Sequence, residues 1–221
     1  FIAACAVLDP ELSLSCPPEI TAACGMDALT QLIEAYVSTE ANAMTDALAL
    51  TGIERCTASL VPAVTSSKEE VVVRGSMALA AYFSGVCLAN AGLGVVHGLA
   101  SAIGGQMRIP HGVVCGTLLA PACRVTIRKL RETGNDSHGS LARYAKIGGV
   151  LAGTDGSDSW RDTDLLLQKL EQLLYQLGIP KLSIYGLGED DIERIAKNSS
   201  TKNNPGDLNV DDIARIMRER L

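Results

Sequence analysis

The sequence predicts an all-α protein: a multi-helical, bundle-like domain with at most one short strand at its N terminus. Hydrophobic residues make up 47% of the chain and aromatic residues only 4%, so the core must be built from Ala, Leu, Val and Ile. This composition suits closely packed helices better than a β-sandwich. Strands and helices do not alternate along the chain, and no glycine-rich phosphate loop is present, which argues against a dinucleotide-binding unit within it.

The N-terminal part of the chain predicts one strand followed by two helices. Residues 1–8 are largely apolar and predict the strand. Ser15 precedes two nearby prolines and predicts a helix start, because a hydroxyl caps a helix and proline suits its first turn. Gly25 is predicted to break this helix, and a second helix is predicted to begin near Asp27. The apolar residues of the second helix form one stripe at helical spacing: Leu29, Leu32, Ile33, Tyr36 and Val37.

Helices also account for most of the remaining chain. One helix is predicted to end before Pro62, and the next to begin with a capping-box pattern from Ser67 to Glu70. Gly178, followed closely by a proline, predicts the end of a later helix. Besides a short helix that carries His97, the predicted ranges are 42–60, 67–89, 113–130, 140–151, 160–177, 189–198 and 209–220.

Two of the three histidines lie in one glycine-rich stretch. His97 and His111 are fourteen residues apart, and each is followed at once by glycine, which lets a backbone or a bound atom approach closely. Neutral imidazole is the commonest protein ligand of transition metals, so the pair is a candidate metal site. Two hydrogen-bonded core histidines are the alternative interpretation. The third histidine, His138, lies in a polar loop and is expected to be solvated.

Asp27 and Gln31 lie one helical turn apart and are candidates to join the two histidines. One carboxylate and two imidazoles suit zinc or ferrous iron, with positions left for water and substrate. Alternatively, Asp27 is a helix N-cap and Gln31 is a solvated or hydrogen-bonding helix residue. Ser101, one turn after His97, is either part of the site or a small packing residue.

Charge and cysteine usage narrow the class of protein further. The net charge of −6 argues against a nucleic-acid partner, which normally meets a basic patch. No uninterrupted apolar run has the roughly 18 residues of a membrane span, and no signal segment opens the chain, so a soluble protein is expected. The seven cysteines form no CxxC pair, which fits a reduced, cytoplasmic setting. Cys87 and Cys115 are expected to be core residues rather than reactive ones.

Several segments resemble the iron-containing (group III) alcohol dehydrogenases. Residues 25–38 read GMDALTQLIEAYVS and resemble the helix that carries the first metal ligand of that family. Residues 90–98, NAGLGVVHG, and 109–112, IPHG, resemble its two later ligand segments. Asp46 and the Ala-Leu-Ala that follows match the next helix. The motifs occur in the order of the family and extend the resemblance over essentially the whole chain.

The resemblance implies that residues 1–221 form the C-terminal helical, metal-binding domain of a two-domain dehydrogenase. In that family a separate N-terminal domain, Rossmann-like, holds NAD or NADP, and this nucleotide-binding domain is absent from the chain. Because the chain opens with Phe1 rather than methionine, we expect it to be part of a longer protein. The isolated chain is therefore expected to be inactive.

By position, the resemblance implies that Asp27, His97 and His111 are metal ligands for Fe²⁺, with Zn²⁺ as the alternative. Gln31 and Ser101 stand where the family usually has histidine, so no catalytic residue is assigned with them. Gln31 remains a candidate fourth ligand, although an amide oxygen is a weaker and harder donor than imidazole.

The activity implied by the resemblance is hydride transfer between an alcohol or aldehyde and the nicotinamide of NAD or NADP, assisted by the metal. A homo-oligomer of two or more subunits is expected, with no nucleic-acid or membrane partner. Relatives with other chemistry remain alternatives: glycerol dehydrogenase, maleylacetate reductase and dehydroquinate synthase-like enzymes. A non-catalytic helical remnant is a further alternative, supported by Gln31 and Ser101.

Overall fold

The computed structural model describes residues 4–65 and 71–221, and within these ranges the protein is all-α with no strand. The all-α prediction is confirmed. The described helices are α1 (Pro18–Val37), α2 (Ala43–Thr65), α3 (Val71–Ala91), α4 (Val95–Gly104), α5 (His111–Thr133), α6 (Ser140–Ala152), α7 (Ser159–Gln176), α8 (Glu189–Lys197) and α9 (Val210–Arg218). Short 3₁₀ turns at Pro10–Ser13 and Leu182–Tyr185 complete the helical structure of these ranges.

Helix α1 differs from its prediction at both its start and its middle. Its N-cap is Pro17 rather than Ser15, and it runs without a break through Gly25. A Cβ at Gly25 would lie 2.3 Å from Leu60 Cδ1, so this glycine permits close packing of α1 against α2 rather than ending a helix. Asp27 consequently lies inside the helix, and the N-cap interpretation of Asp27 is wrong. The predicted apolar stripe of this helix is buried, as expected.

The predicted N-terminal strand is not present over residues 4–8, and residues 1–3 of that prediction lie outside the described ranges. A strand needs a partner for its backbone groups, and the described ranges contain no other strand. Val7 is 86% exposed, so its apolar character reflects no core packing within this chain.

Helix α2 continues to Thr65, past the predicted end before Pro62. Proline has no N–H to donate, but Pro62 falls in the last turn, where it removes only one helical hydrogen bond. The capping box predicted from Ser67 to Glu70 lies outside the described ranges, and α3 is described from Val71. The later helices begin and end within a few residues of their predicted bounds.

Helix α5 lies between two hydrophobic clusters and contributes buried residues to both. One cluster joins α1, α2 and α3 to α6 and α7, and it contains Leu119 and Ile127 of α5. The other joins α4, α8 and α9, and it contains Val114 and Leu118 of α5. Helix α1 contributes mainly to the first cluster and, through Ala23, to the second. The N-terminal turns of α4 and α5 therefore meet the middle of α1 at the boundary between the clusters.

Helices α2 and α3 are long and apolar enough to cross a membrane by length and composition alone. Core helices of soluble proteins meet the same criterion, so two such helices are weak evidence for a membrane protein. Both pack on α1, because Leu60 of α2 and Met77 of α3 surround Gly25. Helix α3 also carries Arg74, whose guanidinium donates to the Thr21 hydroxyl of α1.

Candidate metal centre

Four side chains from three helices converge where α1, α4 and α5 meet. Asp27 lies in the middle of α1, His97 in the first turn of α4, and His111 is the first residue of α5. Cys115 follows His111 by one helical turn, so the two side chains share a face of α5. One potential ligand atom of each residue lies within 4.8 Å of those of the others. The structure thus brings together the three residues predicted from the sequence and adds a thiol.

The donor atoms of these four side chains lie 3.3–3.7 Å apart in four pairs. Asp27 Oδ1 is 3.3 Å from His97 Nε2 and 3.7 Å from His111 Nε2. Cys115 Sγ is 3.7 Å from His97 Nε2 and 3.5 Å from His111 Nε2. Such separations are typical of atoms that surround one small cation.

Glu34 orients the His97 ring from the side away from Asp27. Its Oε2 lies 2.6 Å from His97 Nδ1, and its Oε1 accepts a 2.7 Å hydrogen bond from the Val96 backbone N–H. With Nδ1–H donated to this carboxylate, Nε2 is directed at the donor cluster. Glu34 was missed as a site residue from the sequence, although it lies on the polar face of α1 with Asp27. Its burial next to a histidine depends on tertiary contacts that periodicity does not report.

The electrostatic field of the site favours a positive charge beside Asp27. Burial alone would lower the pKa of His97, but its contacts with Asp27, Cys115 and Glu34 prevail and raise that pKa from 6.5 to about 11. Burial alone would raise the pKa of Asp27, yet the His97 contact and both imidazole charges lower it. A proton on His97 or a metal cation can satisfy this field, and a bound metal would displace the proton.

Burial is also the main influence on the pKa of the Cys115 thiol. It raises this pKa to about 11, although the contact with His97 acts in the opposite direction. The prediction that Cys115 is a buried core residue is confirmed, since its side chain is inaccessible to solvent. Its position in the donor cluster was not predicted. The available signal was its spacing of four residues from His111.

Gln31 is held by its neighbours rather than directed at the cluster through its oxygen. The Ser84 hydroxyl donates a 2.8 Å hydrogen bond to Gln31 Oε1, and Gln31 Nε2 donates a 3.3 Å bond to Asp27 Oδ2. This amide therefore positions the outer oxygen of the Asp27 carboxylate.

Two other predicted residues lie at the edge of the site or away from it. Ser101 is exposed, and its hydroxyl donates a 2.8 Å hydrogen bond to the His97 carbonyl one turn earlier. His138 is exposed in the loop before α6 and does not belong to the donor cluster.

The glycine after each histidine permits a close backbone approach. A Cβ at Gly98 would lie 1.6 Å from the Ser200 carbonyl oxygen, and one at Gly112 would lie 2.3 Å from the Ala23 carbonyl oxygen. Neither backbone could retain its position beside a larger residue. Each glycine therefore lets another segment of backbone pack directly beside the histidine that precedes it.

The donor set fits a divalent transition metal. Asp27 Oδ1 is buried and, among the described residues, receives no well-directed hydrogen bond. The nearest ring nitrogen is His97 Nε2, and a neutral imidazole that donates Nδ1–H to Glu34 presents only a lone pair there. The buried carboxylate oxygen therefore needs a positive partner at this nitrogen, either a proton on His97 Nε2 or a metal cation that displaces it.

Comparisons with known proteins agree with the fold. Residues 21–221 match the family described as "Fe-containing alcohol dehydrogenase family, C-terminal". The chain is 33% identical to an NAD-dependent methanol dehydrogenase of Bacillus methanolicus, over 98% of this chain and 55% of that protein. It is 34% identical to alcohol dehydrogenase 4 of Schizosaccharomyces pombe, over 97% of this chain and 49% of that protein. The chain thus spans about half the length of these curated relatives.

Solved structures match over nearly the whole chain. A 1,3-propanediol oxidoreductase superposes with a TM-score of 0.85 at 31% identity, covering 96% of this chain and 55% of that one. An alcohol dehydrogenase from Oenococcus oeni superposes with a TM-score of 0.83 at 31% identity, covering 96% of this chain and 54% of that one. By sequence and by fold, the chain belongs to the iron-containing alcohol dehydrogenase family and corresponds to its C-terminal helical region.

Proposed function

We propose that this chain is the metal-binding half of an NAD(P)-linked alcohol dehydrogenase, with Asp27, His97 and His111 as metal ligands. The observation that carries the proposal is the convergence of their donor atoms within 4.8 Å. These atoms surround a buried carboxylate oxygen that, among the described residues, has no well-directed donor. Fe²⁺ is the proposed metal because of the family, and Zn²⁺ is the alternative, since carboxylate and imidazole donors suit both.

In the proposed reaction, a hydride passes between the carbon of an alcohol and the nicotinamide ring, and an aldehyde is the oxidised product. A divalent cation at the site would supply Lewis-acid stabilisation of negative charge on the substrate oxygen. Glu34 keeps the Nδ1–H of His97, so that Nε2 retains a lone pair for the cation. His111, with 54% of its side chain exposed, marks the open side of the cluster, where substrate would enter.

The cofactor is proposed to bind mainly outside this chain. Among the relatives, the methanol dehydrogenase is named as NAD-dependent and a butanol dehydrogenase of Clostridium saccharobutylicum as NADPH-dependent. We therefore leave NAD and NADP as equal candidates, bound by the other half of a longer protein. The 221-residue chain alone is expected to lack dehydrogenase activity. We further propose a cytoplasmic homo-oligomer with a small alcohol or aldehyde substrate and with no nucleic-acid or membrane partner.

The metal content of the purified chain tests this proposal. After mild dialysis, elemental mass spectrometry should find one iron or zinc ion per chain. Asp27→Ala and His111→Ala should each abolish binding, whereas His138→Ala should retain it, because His138 is exposed in a loop outside the donor cluster. No metal, even after anaerobic addition of Fe²⁺ or Zn²⁺, would favour the non-catalytic remnant. Equal loss in all three variants would contradict the ligand assignment.

A further inference from the structure

We propose that Cys115 is a fourth metal ligand of this chain and that its thiolate gives the site a preference for Zn²⁺ over Fe²⁺. This inference rests on the proposed metal site at Asp27, His97 and His111. It extends that site by a donor whose chemistry differs from the other three, and it replaces Fe²⁺, the metal proposed above from the family alone, by Zn²⁺ as the preferred ion.

The spacing of the four donor atoms fits a tetrahedral zinc site. Zinc lies about 2.0–2.1 Å from nitrogen or oxygen ligands and about 2.3 Å from sulfur. A tetrahedron with these radii has N···O edges of about 3.4 Å and N···S edges of about 3.6 Å. The measured N···O separations at Asp27 are 3.3 and 3.7 Å, and the measured N···S separations at Cys115 are 3.7 and 3.5 Å. Four of the six edges of the tetrahedron thus agree with one central ion.

The environment of Cys115 differs from that of the other buried cysteines. Cys56, Cys87 and Cys123 are also buried, but within the described ranges none of them belongs to the cluster of potential metal ligands. The Cys87 thiol, for example, faces the backbone carbonyl of Thr45 at 3.5 Å. Cys115 is the buried cysteine whose sulfur faces two imidazole nitrogens.

The neighbouring amide does not compete for the fourth position. Gln31 accepts the Ser84 hydroxyl proton through its oxygen and presents its NH₂ group to Asp27. An NH₂ group has no lone pair to offer a cation. The donor that completes the set is therefore the Cys115 sulfur.

A metal that binds Cys115 displaces the thiol proton, which is released to solvent, and the resulting thiolate changes which metal the site selects. Carboxylate and imidazole accept iron and zinc alike, whereas a soft thiolate in a tetrahedral N/O/S set favours zinc. Four protein donors do not exclude a substrate, since zinc can expand to five-coordinate geometry. The exposed His111 side leaves room for that approach.

Cobalt(II) is the probe for the test, because it adopts zinc geometry and is visible by absorption. The Co²⁺-loaded wild-type chain should show a sulfur-to-cobalt charge-transfer band in the near ultraviolet. Cys115→Ser should abolish this band and weaken Zn²⁺ binding by at least about 10–100-fold, the loss typical of removing even an outer-shell partner. In anaerobic competition, the same substitution should also reduce the ratio of bound zinc to bound iron. Cys87→Ser is the matched buried control and should change none of these readouts.

The outcomes separate this inference from the proposed function. A wild-type chain that binds one Co²⁺ without a sulfur band would overturn the role of Cys115 and leave the other three ligands standing. A wild-type chain that binds no metal would overturn both proposals. If Cys115→Ser fails to fold, X-ray absorption at the zinc edge of the wild-type chain decides: a sulfur neighbour at about 2.3 Å supports the inference, and its absence refutes it.

Discussion

Replacing Glu34 by glutamine removes a negative charge beside the proposed metal site while keeping the shape of the side chain. The two carboxylate oxygens of Glu34 serve two donors, the Val96 backbone N–H at 2.7 Å and the His97 Nδ1–H at 2.6 Å. An amide has only one oxygen, so Glu34→Gln cannot accept both hydrogen bonds. Either His97 or Val96 must lose its acceptor.

Both arrangements of the amide carry a cost that the structure allows us to assign. If the NH₂ group faces His97, the ring must accept at Nδ1 and carry its proton on Nε2, which blocks the nitrogen directed at the donor cluster. If the NH₂ group faces Val96, two buried donors oppose each other, and an unsatisfied group of this kind costs about 1–3 kcal/mol. Losing an outer-shell partner of a ligand histidine typically weakens metal binding by about 10–100-fold. We expect a loss in that range for Glu34→Gln.

Competition of Zn²⁺ against a chromophoric chelator measures the affinity of each variant. Glu19→Gln is the matched control, because Glu19 lies exposed in the first turn of the same helix. The control should bind zinc as the wild type does. If Glu34→Gln loses less than about twofold of its zinc affinity, which is far less than the usual loss, the role assigned to this carboxylate is refuted.

Two further predictions concern stability. Gly98→Ala should lower the melting temperature, with a cost of at least about 1–3 kcal/mol, because its Cβ would lie 1.6 Å from the Ser200 carbonyl oxygen. Gly104→Ala is the control: its Cβ would meet no atom within 4 Å, so this substitution should change the stability little. Equal melting temperatures of the two variants would contradict the packing argument. The hydrogen bond from Arg161 lowers the pKa of Asp162 below 3.8, so its stabilisation is present above that pH and is lost as pH falls through the folded pKa. Asp162→Asn should therefore destabilise at pH 7 but not near pH 2, as measured by urea unfolding; a pH-independent difference would contradict it.

Helix positions were predictable from the sequence because apolar periodicity and end signals are local. Gly25 shows the limit of such signals. A glycine in a helical pattern indicates a break, but here it makes room for Leu60 of another helix, and only the packed structure distinguishes the two cases. The strand predicted from the apolar residues at the N terminus is not present over residues 4–8 for a related reason. A strand depends on a partner strand, and the described ranges contain none.

The residues of the candidate site also differ in whether local sequence or tertiary contact reveals them. Asp27, His97 and His111 could be predicted as candidate ligands because each belongs to a recognisable segment of sequence. Glu34 and Cys115 were missed, because what distinguishes them is the neighbour each one meets in space. A buried thiol is usually a small hydrophobic residue, and the spacing of four residues from His111 does not by itself show that the Cys115 sulfur also faces His97.

The contact between α5 and α1 explains how those neighbours are held at ligand distances. Gly112 and Gly116 lie one turn apart on α5, and a Cβ on them would meet the Ala23 carbonyl at 2.3 Å and Met26 Cβ at 2.9 Å on α1. His111 and Cys115 immediately precede these glycines. Each of the first two turns of α5 thus pairs a glycine that allows close approach to α1 with a donor that faces Asp27. The separation of α1 and α5 therefore fixes the distance of His111 and Cys115 from Asp27, while Glu34 positions His97 of α4.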